Sequence, residues 1–320
     1  MPSSAPLPSP SARTLAAPVE VSGVGLFTGQ AVRVTLRPGE PGRGIVFRRP
    51  DLPGAQGSLP IAAVPDNIQP EARRTVLSLG PHGPSVQTVE HLLSAVRGLG
   101  LSDLEVEVRG PELPIGDGSA ALWVEAMHGV GFNSGGGAAA SPVVVRQPIR
   151  LGADGATVEA LPLNPDELAA ASAGRGPVAI YAYHLDFANY PIAALAPVAC
   201  RRVPSQDAAA EFPLNATPGS VTAYAEGVAP ARTFSLVEEA EAARRAGLFG
   251  HVSPRDLLVI GDQGPIDNVY RFPDEPARHK LLDLIGDLAL CGRPIVGRIV
   301  ARRSGHALNQ ALARALAELP

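Results

Sequence analysis

The segment ARHKLLDLIGDLALCG, residues 277–292, constrains the fold more than any other stretch of this chain. Its Leu and Ile residues predict a long, largely buried helix, on which His279, Asp283 and Asp287 recur at every fourth position and so share one face. Carboxylates are seldom buried without a cation or a metal beside them. Either this is a surface helix with solvated polar groups, or the stripe faces a partner built into the fold.

A second segment, TVEHLLSAVRGLG, is also helical in pattern: Val89, Leu92, Leu93 and Val96 recur at helical spacing, and Gly98 and Gly100 supply the stop. It carries Glu90 and His91 side by side. Neighbours on a helix point about 100° apart, so the two cannot bind one ion equally. They can divide the labour of a metal hydrolase, an imidazole as ligand and a carboxylate beside the water. Alone, the pair reads better as a surface Glu and a satisfied core His. Taken with the first segment, His91, His279 and Asp283 make three ligands with one position left for water, the pattern of a catalytic zinc. Ligands from both ends of the chain would put that site at a domain interface. Ser304-Gly305-His306 follows a strand pattern and opens the last helix, so His306 is a candidate general acid or charge stabiliser with Asp287 to orient its ring.

The remaining pattern is strand-rich. VEVSGVGLFTG, AVRVTLRPG, GIVFRR, RTVLSLG and LEVEVRG alternate like strands, with SVQTVEHLLSAVRGLG and GSAALWVEAMHGVGF as helices. After the Gly-rich NSGGGAAASP the order repeats: VVVRQPIRL, ATVEALPL and VAIYAYHLDF as strands, LVEEAEAARRAG and the 277–292 segment as helices, IVGRIVARRSG as a strand, HALNQALARALAEL as a closing helix. An α+β fold is expected, built from two similar two-layer domains, each an antiparallel-type sheet packed with helices, with the active site at their interface. The boundaries read as a disordered lead-in over 1–18, a first domain over 19–133, a linker over 134–142 and a second domain over 143–320.

Composition excludes much else. The formal net charge of −4 gives no footprint for nucleic acid. No apolar run approaches a membrane span, and Cys200 and Cys291 are too few for a disulfide framework, so a cytoplasmic address is expected. Lys280 is the only Lys among 27 basic Lys and Arg residues, which draws attention to it even against a general preference for Arg.

At these residues the chain resembles a known family. TVEHLLSAVRGLG, DGSAALWVE, ARTFSL, RHKLLDLIGDLAL and SGHALNQAL, with VSGVGLFTG and GIVFRR near the start, are similar to the signature stretches of the UDP-3-O-acyl-N-acetylglucosamine deacetylases, in the same order from about Val19 onward. The resemblance implies one catalytic Zn²⁺, with Fe²⁺ an alternative in the cell, and hydrolysis of an N-acetyl group as the committed step of lipid A synthesis. It implies that His91, His279 and Asp283 hold the metal and that Glu90 is the general base. His306, paired with Asp287, would be the acid or charge stabiliser, with Thr233 and Lys280 near the developing charge. Arg303 and Gly305 would face UDP, Phe187 and Phe234 the sugar or nucleotide, and an insert around 234–268 would form the acyl passage. A monomer acting on a UDP-acyl-GlcNAc substrate is expected.

The chain departs from the family pattern at Phe27, where His is usual, at Arg74, where a smaller residue is usual, and in GHVSPRDLL at 250–258. The altered insert keeps two other readings in view: a zinc amidase acting on another nucleotide- or amino-sugar, and a zinc-bearing paralogue that binds without turnover.

Overall fold

The computed structural model describes residues 11–173, 178–186, 207–214 and 218–320. Two sheets with the same topology organise it. In the first half, β2 (Val19–Val24), β3 (Ala31–Pro38), β4 (Ile45–Arg48), β5 (Ile61–Ala62) and β9 (Leu104–Arg109) lie in the order β2-β3-β9-β4-β5. Every pairing is antiparallel except β4 with β9, which is parallel. In the second half, β12 (Ile149–Ala153), β13 (Ala156–Leu161), β14 (Ala179–Asp186), β15 (Asp207–Leu214) and β19 (Ile295–Arg302) lie in the order β12-β13-β19-β14-β15. Again only the corresponding pair, β14 with β19, is parallel, and the short β11 (Val143–Val144) adds a parallel partner at the start of β19.

The helices complete the correspondence. α1 (Glu90–Gly98) precedes the central strand β9 and α2 (Ala121–Val130) follows it. α6 (Glu275–Ala289) precedes β19 and α7 (His306–Ala317) follows it. The repeated order in the sequence is thus a repeated fold, α+β in each half.

Strand β3 buries Val32, Val34 and Leu36 and turns Ala31 and Arg33 outward, the period-two pattern of a sheet with one covered face. The helix α6 differs: of its residues only Arg278 and Lys280 escape full burial, so it is a central helix enclosed on all sides. It packs directly along α1, and Leu92, Leu93 and Val96 of α1 join Leu281, Leu282 and Ile285 of α6 in one core that spans both halves. Each such side chain contributes about 1.5–3 kcal/mol on burial, so the two helices are fixed where their polar residues meet.

Three sequence expectations need correction. Ser11–Leu15, read as part of a disordered lead-in over 1–18, form β1 and pair antiparallel with β10 (Phe132–Ala138), which occupies most of the stretch read as a linker. Ala12 and Leu15 are wholly buried there, and the Arg13 guanidinium caps the ring of Phe132 at 4.6 Å. Residues 1–10 lie outside the described residues. Ser85–Gln87, read as the start of a helix, are instead strand β8 of a small sheet with β6 (Ile68–Gln69) and β7 (Val76–Ser78). The backbone of Thr88 turns left-handed (φ 58°) before α1 begins at Glu90.

Two helices were not anticipated, α3 (Pro165–Ser172), opened by an Asn164/Glu167 capping box, and α4 (Pro218–Gly227). Between α4 and α6, β16 (Phe234–Leu236), α5 (Val237–Arg245), β17 (Leu258–Gly261) and β18 (Gly264–Pro265) form a separate three-stranded unit.

Candidate active site

Where α1 crosses α6, three side chains converge. The Nε2 atoms of His91 and His279 lie 3.7 Å and 3.5 Å from Asp283 Oδ1, and the two rings stand edge to face with centroids 5.1 Å apart. One ligand atom from each of the three lies within 4.8 Å of the others, and all three residues are buried. The set fits a metal ion on its chemistry. The His279 Nδ1–H donates to the Ala231 carbonyl at 3.1 Å, which leaves Nε2 as a lone-pair donor facing the other two groups. Two imidazole nitrogens and one carboxylate, with room for a further ligand, are a donor set for a catalytic divalent cation.

Burial drives His279 down to about 3, overriding the opposing pull of Asp283. Burial alone would raise the Asp283 carboxyl, but its interactions with His279 and with the Lys280 ammonium hold it well below the usual range. The Lys280 ammonium sits 3.0 Å from Asp283 Oδ2, and that carboxylate outweighs burial and raises its pKa.

Glu90 and His306 flank the triad. Glu90 is only 3 % exposed, opens α1, and accepts the Thr75 backbone N–H at 3.0 Å on Oε2. Burial raises its pKa against the charges of His306 and His91, which lower it. His306 is the first residue of α7, and its Nδ1 bonds Asp287 Oδ2 at 2.9 Å. Burial opposes a charged imidazole, and so does the helix N-terminus. The charge and hydrogen bond of Asp287, helped by Asp283 and Glu90, prevail and push His306 up to about 10. Asp287 itself is completely buried and also accepts from Asn309 Nδ2 at 2.9 Å and Thr75 Oγ1 at 2.5 Å.

The site opens into a cleft of about 680 Å³. Thr233, Phe234, Lys280, Arg303 and Gly305 line it together with Glu90, the triad and His306. Phe234 lies edge-on to the His279 ring at 6.4 Å. The structure ties the Arg303 guanidinium to the backbone of the β12–β13 turn, with Nε donating to the Gly155 carbonyl at 2.9 Å and Nη2 to that of Asp154 at 3.2 Å. Phe187 lies outside the described residues.

This geometry can be set beside known proteins. The family profile described as "LpxC: UDP-3-O-acyl N-acetylglycosamine deacetylase" matches residues 12–186 and 203–318. A curated UDP-3-O-acyl-N-acetylglucosamine deacetylase of Thermosynechococcus vestitus is 35% identical over 314 residues, covering 98% of this chain and 96% of the relative.

The chain belongs to the UDP-3-O-acyl N-acetylglycosamine deacetylase family.

Proteins of the same name from Synechocystis sp. and Myxococcus xanthus are 34% and 32% identical, covering 95% and 94% of this chain and 98% and 85% of their own lengths. The residues singled out in the sequence as unusual gather in one place. The Arg74 guanidinium stacks over the Phe27 ring at 4.3 Å, and Phe27 meets Phe249 of the insert edge to face at 5.4 Å. Next to them His251 Nε2 bonds the Gly25 carbonyl at 3.0 Å, and Arg73 pairs with Glu239 at 3.3 Å. These contacts fasten the insert to the first half, on the rim of the same cleft.

Sequence reasoning missed Thr75, Asn309 and Gln310, which hold Glu90 and Asp287 in place, and the Ala231 carbonyl behind His279. It also missed the fully buried Arg232–Glu275 pair (2.8 Å), which anchors the segment carrying Ala231 and Thr233. For that pair a signal existed: Arg232 sits within the ARTFSL stretch and Glu275 opens the central helix. For Ala231 none did, because its role rests on a backbone carbonyl, and for Thr75 none did, because its hydroxyl partners lie more than 200 residues away in the chain.

Proposed function

We propose that this chain is a zinc-dependent deacetylase that removes the N-acetyl group of UDP-3-O-(3-hydroxyacyl)-N-acetylglucosamine, releasing acetate, in lipid A biosynthesis. The observation that carries the reading is the convergence of His91, His279 and Asp283 within 4.8 Å at the floor of a cleft, with Glu90 and His306 beside them. A Zn²⁺ held by those three would polarise the amide carbonyl and acidify water, which a weak electrophile such as an amide requires.

The protein's own groups handle the protons. Glu90, its Oε2 pinned by the Thr75 N–H, takes the proton of the attacking water. Its burial-raised pKa brings it closer to neutrality, where a general base works best. His306, with Nδ1 committed to Asp287, presents Nε2 as the donor to the departing amine, and its charged form is the dominant one at neutral pH. As the C–N bond breaks, that proton leaves with the amino-sugar and the acyl carbon leaves as acetate. Lys280 and Thr233, on the cleft wall, stabilise negative charge on the carbonyl oxygen. Phe234 and Gly305 offer an apolar and an open surface to the sugar and nucleotide, and the insert lines the route for the acyl chain. A cytoplasmic address for the reaction is part of the proposal.

Acetate release from UDP-3-O-(hydroxyacyl)-N-acetylglucosamine of several chain lengths tests the reading, with and without a chelator reversed by Zn²⁺. Chelator-sensitive release is expected. No release from protein that carries one zinc would overturn it.

A further inference from the structure

One residue outside the candidate catalytic set touches both of its acid–base arms. Thr75, wholly buried just before β7, gives its backbone N–H to Glu90 Oε2 at 3.0 Å and its hydroxyl proton to Asp287 Oδ1 at 2.5 Å. Its Oγ1 in turn accepts Gln310 Nε2 at 2.9 Å and lies 3.5 Å from His306 Nδ1. A threonine hydroxyl has one proton and two lone pairs. Here the proton is spent on Asp287 and one lone pair on Gln310, so its orientation is fixed.

The three groups it joins come from three different helices: Glu90 opens α1, Asp287 lies in α6 and His306 opens α7. Nothing in the local geometry of any one helix sets the distance from Glu90 to His306. We propose that Thr75 is the positioning residue that sets it, holding the Glu90 carboxylate and the Asp287–His306 pair in one frame across the boundary between the two halves. The inference rests on the deacetylase reading for its effect on turnover, but the positioning itself does not depend on turnover.

Two arms of one experiment keep these apart. Thr75→Val keeps shape and the N–H bond to Glu90 but removes the hydroxyl; Thr75→Ser restores the hydroxyl. In steady-state deacetylation kinetics of zinc-loaded protein, Thr75→Val is expected to lower kcat about 10–100-fold, the usual cost of losing an outer hydrogen-bond partner. KM should stay within about twofold and zinc content should not change, and Thr75→Ser should recover most of the loss. Wild-type kcat in Thr75→Val, or Thr75→Ser no better than Thr75→Val, would overturn the proposal.

The second arm is the ¹⁵N-edited signal of the His306 Nδ1–H in selectively labelled protein. Losing a donor to Asp287 should move that signal in Thr75→Val and not in Thr75→Ser. An unmoved signal overturns the proposal even if wild-type protein fails to deacetylate the UDP-sugar. Should Thr75→Val not fold, Gln310→Leu, which releases the hydroxyl from the other side, must move the same signal.

Discussion

Gly286 and Glu90 meet backbone to backbone: a methyl group on the Gly286 Cα would stand 2.1 Å from the Glu90 carbonyl oxygen. The α6 helix has no side chain at the point where the first turn of α1 crosses it. That close crossing brings His91 against His279 and Asp283. Gly286→Ala therefore forces the helices apart at the site itself. Because the neighbour is backbone and cannot swing aside, the cost should reach or exceed the upper end of the about 1–3 kcal/mol typical of overpacking. Denaturant unfolding should show the loss, and zinc affinity should fall with it; unaltered stability would mean the crossing is looser than described.

Glu90→Gln separates base from ligand. The amide keeps the shape and the bond from Thr75 but cannot take a proton. Zinc content measured after dialysis should match wild type, while kcat drops by about 10²–10⁴. A variant with near-normal turnover would remove Glu90 from the base role.

His279→Ala and Asp283→Ala should both lose zinc on dialysis against a weak chelator, under conditions where wild type retains it. Asp283→Ala also strands Lys280, whose ammonium is 3.0 Å from that carboxylate. It should be the less stable of the two, because an unpaired half-buried charge is costly. Full zinc occupancy in either variant would take that residue out of the ligand set.

The metal-free protein should have a two-sided pH dependence of stability. His306 is raised to about 10 from an unfolded value of about 6.5. Its contribution is complete below about 6.5 and disappears as pH climbs through about 10. His279 is lowered to about 3 by burial, so its contribution is complete above about 6.5 and fades as pH falls toward about 3. Urea midpoints of metal-free protein should decline on both sides of about pH 6.5, and Asp287→Asn should flatten the alkaline side. Midpoints that rise from pH 7 to 10 would contradict the sign for His306.

Phe249→Ala removes the ring that Phe27 contacts at 5.4 Å, on the rim of the cleft. Hydrogen exchange should speed up at residues 249–252, and KM for a long-chain substrate should rise more than kcat changes. Equal exchange in wild type and variant would show that the ring does not fasten the insert.

What the sequence revealed depended on how local the determining interaction was. The α6 stripe was legible because helical periodicity alone aligns His279, Asp283 and Asp287. Duplication was legible because strand and helix patterns recur in order. The role of Thr75 was not, since a short strand beside Pro and Gly carries no motif and its partners lie up to 235 residues away. For the same reason the first strand was read as disorder. SARTL is too short to declare itself, and its partner FNSGGGA has the composition of a linker; only their pairing, set by tertiary context, makes either a strand. The capping box at Asn164 was a local signal that pattern-reading passed over.

The β1–β10 ribbon bears on how the protein is handled. Among the described residues it contains only those two strands, so a version trimmed to begin at residue 19 would leave β10 with both edges open and would uncover the pocket filled by Leu15. A bare, Gly-rich, uncharged edge is a template for pairing with another chain. Trimming that looks harmless from composition would create such an edge, and a purification tag is better carried at the other end or ahead of residue 11.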